Sequence, residues 1–100
     1  MNKDTKITDV IFRVDTTKDF KGTIFALFPH EVCNTAGHVT TYQHVGQHSG
    51  GNYNNCIRRS RPATENEYKE LKLEMESLGY NFKLVTRQNY NKFLISFKNR

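Results

Sequence analysis

Residues 64–79 read TENEYKELKLEMESLG and carry the local signals of an amphipathic helix. Thr64 and Glu67 have the spacing of a capping box, in which each side chain accepts a backbone N–H of the first turn. Gly79 follows the last apolar residue and suits the left-handed conformation that ends many helices. Between these ends the apolar side chains recur at i, i+3, i+7 and i+10, as Tyr68, Leu71, Met75 and Leu78. This spacing predicts a helix with one face packed against a sheet.

Short apolar segments on both sides of this helix predict strands. Residues 9–14 (DVIFRV) are β-branched and aromatic, and residues 23–28 (TIFALF) are apolar on both alternations, which is typical of a strand covered on both faces. Residues 39–45 and 80–87 are predicted as two further strands. Residues 46–55 are rich in Gly and Asn and predict a flexible loop.

The C-terminal segment admits two interpretations. Phe93, Ile95 and Phe97 alternate across residues 90–97, as in a strand that needs a sheet edge. Asn and Lys residues dilute the pattern over residues 88–100, so we favour a basic extension appended to the folded core.

The predicted order of elements is β-β-β-α-β in a single domain of residues 1–100, with a core of about residues 9–87. We therefore expect an α+β fold, a mainly antiparallel sheet of 4–5 strands with one helix packed on one face. The opposite face of the sheet and the loop of residues 46–61 would then be the surfaces left for function.

The chain is basic, with 15 Lys and Arg against 10 Asp and Glu, and residues 79–100 contain no acidic side chain. Cations interleaved with aromatic rings suit polyanions that also offer flat faces for stacking. Tyr53 lies in the predicted loop and is the best single candidate for a stacking residue. The alternative is that the cations are solvated surface charges, with Arg61 paired to Glu65. The predicted binding residues are Arg58, Arg59, Arg61, Tyr53, Lys83, Arg87, Lys92 and Lys98.

Histidine and cysteine side chains cluster in the middle of the chain, as Cys33, His38, His44, His48 and Cys56. The spacing of His44 and His48 can bind zinc on a helix, but Gly46 between them argues against a helix there. In a strand the two would be about 13 Å apart, too far for one ion. We therefore expect no metal and no cofactor. Pairs such as His44 with Glu31 can be drawn as acid–base dyads, but no spacing selects one, so we expect no enzyme.

Composition bears on the location of the chain as well. No apolar run approaches the roughly 20 residues that a membrane span needs, so no membrane partner is expected. No apolar segment follows the N-terminus in the manner of a signal peptide. We expect a cytoplasmic protein in which Cys33 and Cys56 are reduced thiols.

Residues 10–87 resemble a group of short, mostly uncharacterised proteins encoded by bacterial phages and mobile elements. The matching pieces are ALFP at residues 26–29, YQHVGQH at 42–48, RPAT at 61–64 and a segment within 67–87. The second piece, with Tyr42, His44 and His48, is the most distinctive, and no role is attached to it. The resemblance implies a mobile-element setting, in which small basic proteins often inhibit host defence, anti-CRISPR proteins among them.

Three hypotheses for function follow. The leading one is a non-enzymatic binding protein of a phage or mobile element that inhibits host defence by acting on RNA or an RNA-bearing ribonucleoprotein effector. The alternative is a protein-only inhibitor that binds an acidic partner surface, with a homodimer as one form. The third is a small metal-dependent hydrolase at His44 and His48.

Overall fold

The computed structural model describes residues 7–43 and 48–99, without the side chain of His48. It has an α+β fold, as predicted, with three helices and six strands in this part of the chain. The elements in chain order are β1 Thr8–Asp15, β2 Ile24–Val32, β3 Val39–Tyr42, β4 His48–Gly51, α1 Tyr53–Arg58, β5 Ser60–Pro62, α2 Glu65–Ser77, β6 Phe82–Leu84 and α3 Tyr90–Lys98.

The strands form one sheet in the order β4-β3-β2-β1-β5, and β6 also pairs with β1. All neighbours are antiparallel except β6, which runs parallel to β1. Strand β5 pairs with residues 13–15 of β1 and β6 with residues 8–10, so the two short strands pair with opposite ends of β1. The prediction of a mainly antiparallel sheet is therefore confirmed.

Helix α2 has the caps that the sequence predicts. The Thr64 hydroxyl accepts the backbone N–H of Glu67, and the Glu67 carboxylate accepts the backbone N–H of Thr64. At the other end Gly79 has a φ of 104°, and the N–H of Tyr80 donates to the carbonyl of Met75, which is a Schellman ending. In the predicted apolar stripe Leu71 and Met75 are buried and Tyr68 is half-buried, but Leu78 is 59% exposed.

The sheet is covered on both faces. Helix α2 covers the first face, where the buried cluster consists of Val10, Phe12, Ala26, Phe28, Tyr42, Leu71 and Met75. Helices α1 and α3 cover the second face, where the buried cluster is Ile11, Phe25, Leu27, Val39 and Cys56, with Tyr53, Ile57, Val85 and Phe93 packed against it. The two-sided apolar pattern of residues 23–28 is thus confirmed, but the expectation of one helix and an open second face is wrong.

Residues 46–55 are not the predicted flexible loop where the structure describes them, because they contribute β4 and the start of α1. The glycines of β4 lie close to two cysteine side chains. A Cβ at Gly50 would lie 2.6 Å from Cys33 Sγ, and one at Gly51 would lie 3.0 Å from Cys56 Sγ. Asn52 then caps α1 by accepting the backbone N–H of Asn55. The Gly- and Asn-rich composition therefore reflects close packing and capping rather than a loop.

The prediction of a strand at residues 90–97 is wrong, because this segment is helix α3. Asn89 is its N-cap, and the Asn89 side chain accepts the backbone N–H of Lys92. Tyr90, Phe93 and Phe97 recur at i, i+3 and i+7, as on one side of a helix, whereas the strand pattern depended on Phe93, Ile95 and Phe97. The cap was the local signal that separates the two readings.

Polar contacts fix α3 along strand β2. The Gln88 side chain donates to the carbonyl of Pro29 at 2.9 Å, and the N–H of Val32 donates to the Ser96 hydroxyl at 3.0 Å. The Phe93 ring packs into the second-face cluster. The segment that we favoured as an appended extension therefore carries a helix docked on the sheet.

Replacing Phe93 by Ala should lower the free energy of unfolding by about 1–2 kcal/mol, because full burial of a Phe side chain is worth roughly 1.5–3 kcal/mol and this ring is half-buried. The melting temperature should fall by at least about 4 °C in a domain of this size. The matched control is Ile95→Ala, which removes an apolar side chain of the same helix that is 60% exposed. Equal melting temperatures of the two variants would contradict the docked position of α3.

Candidate nucleic-acid interface

Charge is divided between the two helical layers. Helix α2 has the sequence ENEYKELKLEMES, with five Glu and two Lys. Helices α1 (YNNCIR) and α3 (YNKFLISFK) contain Arg58, Lys92 and Lys98 and no acidic residue. Because α2 covers one face of the sheet and α1 and α3 cover the other, the molecule has an acidic helix on one side and basic helices on the other. We call the surface formed by α1, α3 and residues 83–89 the basic layer.

A buried arginine fixes the position of α1 in this layer. Arg13 of β1 is only 7% exposed. Its guanidinium donates to the Ser60 hydroxyl at 2.9 Å, to the Ser60 carbonyl at 2.8 Å and to the Ile57 carbonyl at 3.1 Å. The carbonyls at the C-terminal end of a helix carry partial negative charge, so they suit a cation. Burial lowers the pKa of Arg13 from its ordinary value, and these acceptors hold α1 and β5 together.

The three arginines of the predicted cluster have different partners. Arg61 makes a two-pronged ion pair with Glu67, with contacts of 2.9 and 2.6 Å. The Arg59 Nε lies 3.2 Å from Asp15 Oδ2, and its guanidinium lies 5.5 Å from the centre of the Phe25 ring. Arg58 donates to the side-chain oxygen of Asn55 on its own helix, and it is the member of the cluster with no ion pair in the described chain. Arg58 is therefore the most available of the three.

The turn between β1 and β2 lies beside this cluster. The backbone N–H and the hydroxyl of Thr16 both donate to the carbonyl of Arg59, at 2.8 and 2.9 Å. This contact brings Lys18, Phe20 and Lys21 of the turn to the same end of the molecule, and Phe20 is 59% exposed. The sequence analysis missed these residues, although an aromatic ring between two lysines in a turn was a usable signal.

Tyr53 connects α1 to the segment before α3. Its hydroxyl accepts the backbone N–H of Gln88 at 2.8 Å, and its ring packs against the second-face cluster. The side chain is only partly exposed. The prediction that Tyr53 stacks on a base remains untested, and the structure gives this ring a role in packing.

The predicted tail cations lie on β6, α3 and the connection between them. Lys92 pairs with Asp9 at 3.2 Å, whereas Lys83, Arg87 and Lys98 have no ion pair within the described residues. Lys83 is opposite Asp9 in β1 and Arg61 is opposite Val14. Five residues of strand separate these positions, or about 16 Å at 3.3 Å per residue.

A histidine ties the start of α3 to the sheet. The backbone N–H of Asn89 donates to His30 Nε2 at 2.6 Å, so the ring proton is on Nδ1, which lies 2.8 Å from Asp9 Oδ2. Burial acts to raise the pKa of Asp9, but hydrogen bonds from His30 and Lys92 outweigh it, and the pKa lies below its ordinary value. Both nitrogens of His30 are engaged, which makes this ring a structural contact. Residues this distant in sequence gave no local signal of the pairing.

A polar groove of about 710 Å³ lies beside this contact, between β1 and the connection that leads into α3. It is lined by Asp9, His30 and residues 84–92. The side chains with hydrogen-bonding or stacking capacity around it are Thr86, Arg87, Gln88, Asn89, Tyr90, Asn91 and Lys92. Two of the predicted tail cations, Arg87 and Lys92, therefore line one concave surface.

The histidine motif is described only in part. His44 lies outside the described residues, as does the side chain of His48, so the metal and hydrolase hypotheses there remain untested. Tyr42 is fully buried, and its hydroxyl donates to Glu74 Oε2 at 2.5 Å, which connects β3 to α2. Among the residues that the structure describes, no three His, Cys, Asp or Glu side chains are grouped closely enough to hold a metal ion.

Comparison of the chain with protein-family models, curated proteins and solved structures found no match. The resemblance to mobile-element proteins therefore remains an expectation, and the functional argument depends on the residues and their geometry. Of the helices in the described part of the chain, none has the length and apolar character to cross a membrane.

The ion pair between Arg61 and Glu67 predicts a pH dependence. The hydrogen bond from Arg61, with that from the Thr64 backbone, lowers the pKa of Glu67 from 4.5 to about 2. A lowered carboxyl pKa stabilises the fold above the unfolded value, and this stabilisation is lost as the pH falls through the folded value. The titration of the Glu67 side chain, followed by NMR, should have its midpoint near pH 2 and move toward 4.5 in Arg61→Ala. A midpoint that is the same in both proteins would show that Arg61 is not held by Glu67.

Proposed function

We propose that this chain is a non-enzymatic, cytoplasmic binding protein of a phage or mobile element that inhibits host defence by binding RNA or an RNA-bearing effector through its basic layer. The observation that carries the proposal is the division of charge between the helical layers. Arg58, Lys83, Arg87 and Lys98 all belong to the basic layer and lack ion pairs within the described residues. A polyanion can therefore approach them without first breaking an internal ion pair.

The acidic helix supports this interpretation because it orients the protein relative to a charged partner. An asymmetric charge distribution steers a charged partner toward the side of opposite sign and repels it from the other. Glu65, Glu70 and Glu74 of α2 repel phosphates from the far side of the sheet. A protein with the same net charge distributed uniformly over its surface would bind polyanions in many orientations.

The surroundings of His30 and Cys56 support binding rather than catalysis. A general base needs a ring nitrogen or carboxylate that can reach a substrate proton, and both nitrogens of His30 already have partners. Cys56 is 1% exposed, and burial raises its pKa, which disfavours the reactive thiolate.

The salt dependence of RNA binding tests the proposal. In a fluorescence anisotropy titration of a labelled single-stranded RNA, the double variant Arg58→Ala/Lys98→Ala should bind more weakly. The slope of log affinity on log salt should flatten by about 1.4, because each phosphate contact on a single strand contributes about 0.7. The matched control is Lys69→Ala/Lys72→Ala, which removes the same charge from α2.

Two results would contradict the proposal. Equal slopes for the two double variants would show that only net charge matters, and an absence of RNA binding by the parent would remove the premise. A second assay separates the alternative function. If a partner captured from host lysate survives nuclease treatment and is released by Arg58→Ala/Lys98→Ala, the basic layer binds an acidic protein surface instead.

A further inference from the structure

Helix α3 carries a row of three aromatic rings along one side. The Tyr90 and Phe93 ring centres are 6.2 Å apart with planes 24° from parallel, and the Phe93 and Phe97 centres are 6.2 Å apart with planes 8° from parallel. The row is anchored in its middle, where Phe93 packs against the core of the second face. Its two ends remain accessible, since Tyr90 is 65% and Phe97 is 38% exposed.

The fold does not account for the Tyr90 end of this row. Tyr90 belongs to neither buried cluster, and an exposed Tyr in a helix contributes less to stability than Ala would by propensity alone. Phe97 lies near the turn between β2 and β3, where a Cβ at Gly37 would lie 3.9 Å from its Cε1. The Tyr90 ring is therefore a surface feature that packing alone does not explain.

Cations lie at both ends of the row. Arg87 and Tyr90 line the polar groove of about 710 Å³ at the start of α3. Lys98 follows Phe97 at the other end of the helix, and neither Arg87 nor Lys98 has an ion pair in the described part of the chain. Cationic side chains thus flank a row of aromatic rings, which is the arrangement found in proteins that hold single strands.

We infer that the partner of the basic layer is single-stranded RNA and that α3 is its stacking platform. Two or three unpaired bases would stack along Tyr90 and Phe97, as on other aromatic RNA-binding surfaces. Arg87 and Lys98 would contact the phosphates on either side. A duplex keeps its bases inside the helix, so it cannot use these rings. The inference rests on the proposed function and specifies the form of the nucleic acid.

The test compares Tyr90→Ala with the parent, using a labelled 12-nucleotide oligouridine, a duplex RNA of the same length and polyglutamate as a purely electrostatic probe. The parent should bind the single strand more tightly than the duplex. Tyr90→Ala should weaken single-strand binding by about fivefold or more, the lower limit expected for one lost stacking contact. Its salt slope should stay that of the parent, because no charge is removed.

Two further variants separate stacking from loss of structure. Tyr90→Phe keeps the ring and should bind like the parent, and Ile95→Ala removes an equally exposed apolar side chain of the same helix from outside the row and should do likewise. Tyr90 is exposed, so its variants should keep the melting temperature of the parent. A Tyr90→Ala variant that melts at the parent temperature and binds oligouridine within twofold of the parent would overturn the inference.

The failure of the inference can be distinguished from that of the proposed function. Normal binding by Tyr90→Ala, together with a flattened salt slope in Arg58→Ala/Lys98→Ala, would leave a basic layer that binds RNA without stacking. Equal affinity for the duplex and the single strand would overturn the inference in the same way. Binding of polyglutamate as tight as that of RNA, or no binding of either, would overturn both.

Discussion

Strands β1 and β2 place large apolar side chains on both faces of the sheet, and the rest of the structure depends on this constraint. Phe12 and Phe28 point to one face, whereas Phe25 and Leu27 point to the other. Full burial of each such side chain is worth roughly 1.5–3 kcal/mol. An uncovered second face would therefore cost several kcal/mol, a large share of the 5–15 kcal/mol that typically separates folded from unfolded chains. Helices on both faces are a requirement of this sheet.

The charge division of the molecule follows from how this requirement is met. Helix α2 carries the glutamates and occupies one face, whereas α1 and α3, whose charged residues are all basic, cover the second face. Arg13 connects the core of the sheet to the basic layer. It lies in β1, it is buried, and it fixes the end of α1 that presents Arg58. The residues that complete the core thus also set the position of the cations.

Helix α3 has one side in the core and one side on the surface of the molecule. An isolated helix of nine residues is marginal in water, so docking on the sheet must stabilise it. One side of the helix supplies Phe93 to the core and Ser96 to the backbone of β2, while Tyr90 and Lys98 remain accessible. A segment with one buried side and one exposed side gives mixed sequence signals. Its apolar residues indicate a buried element, and its Asn and Lys residues indicate a solvated extension.

The sequence by itself determined the elements whose signals are local: helix α2 with its caps, and β2 with its two-sided apolar pattern. It left α3 undecided, because the spacing of Phe93, Ile95 and Phe97 suits a strand while that of Tyr90, Phe93 and Phe97 suits a helix. Only the tertiary structure decided which cations are paired. Arg61 forms an ion pair with Glu67, which belongs to the nearby helix cap. Lys92 forms its ion pair with Asp9, and the Asn89 backbone N–H bonds to His30, across long sequence separations. Such partners are set by packing of the whole sheet, which no local pattern records.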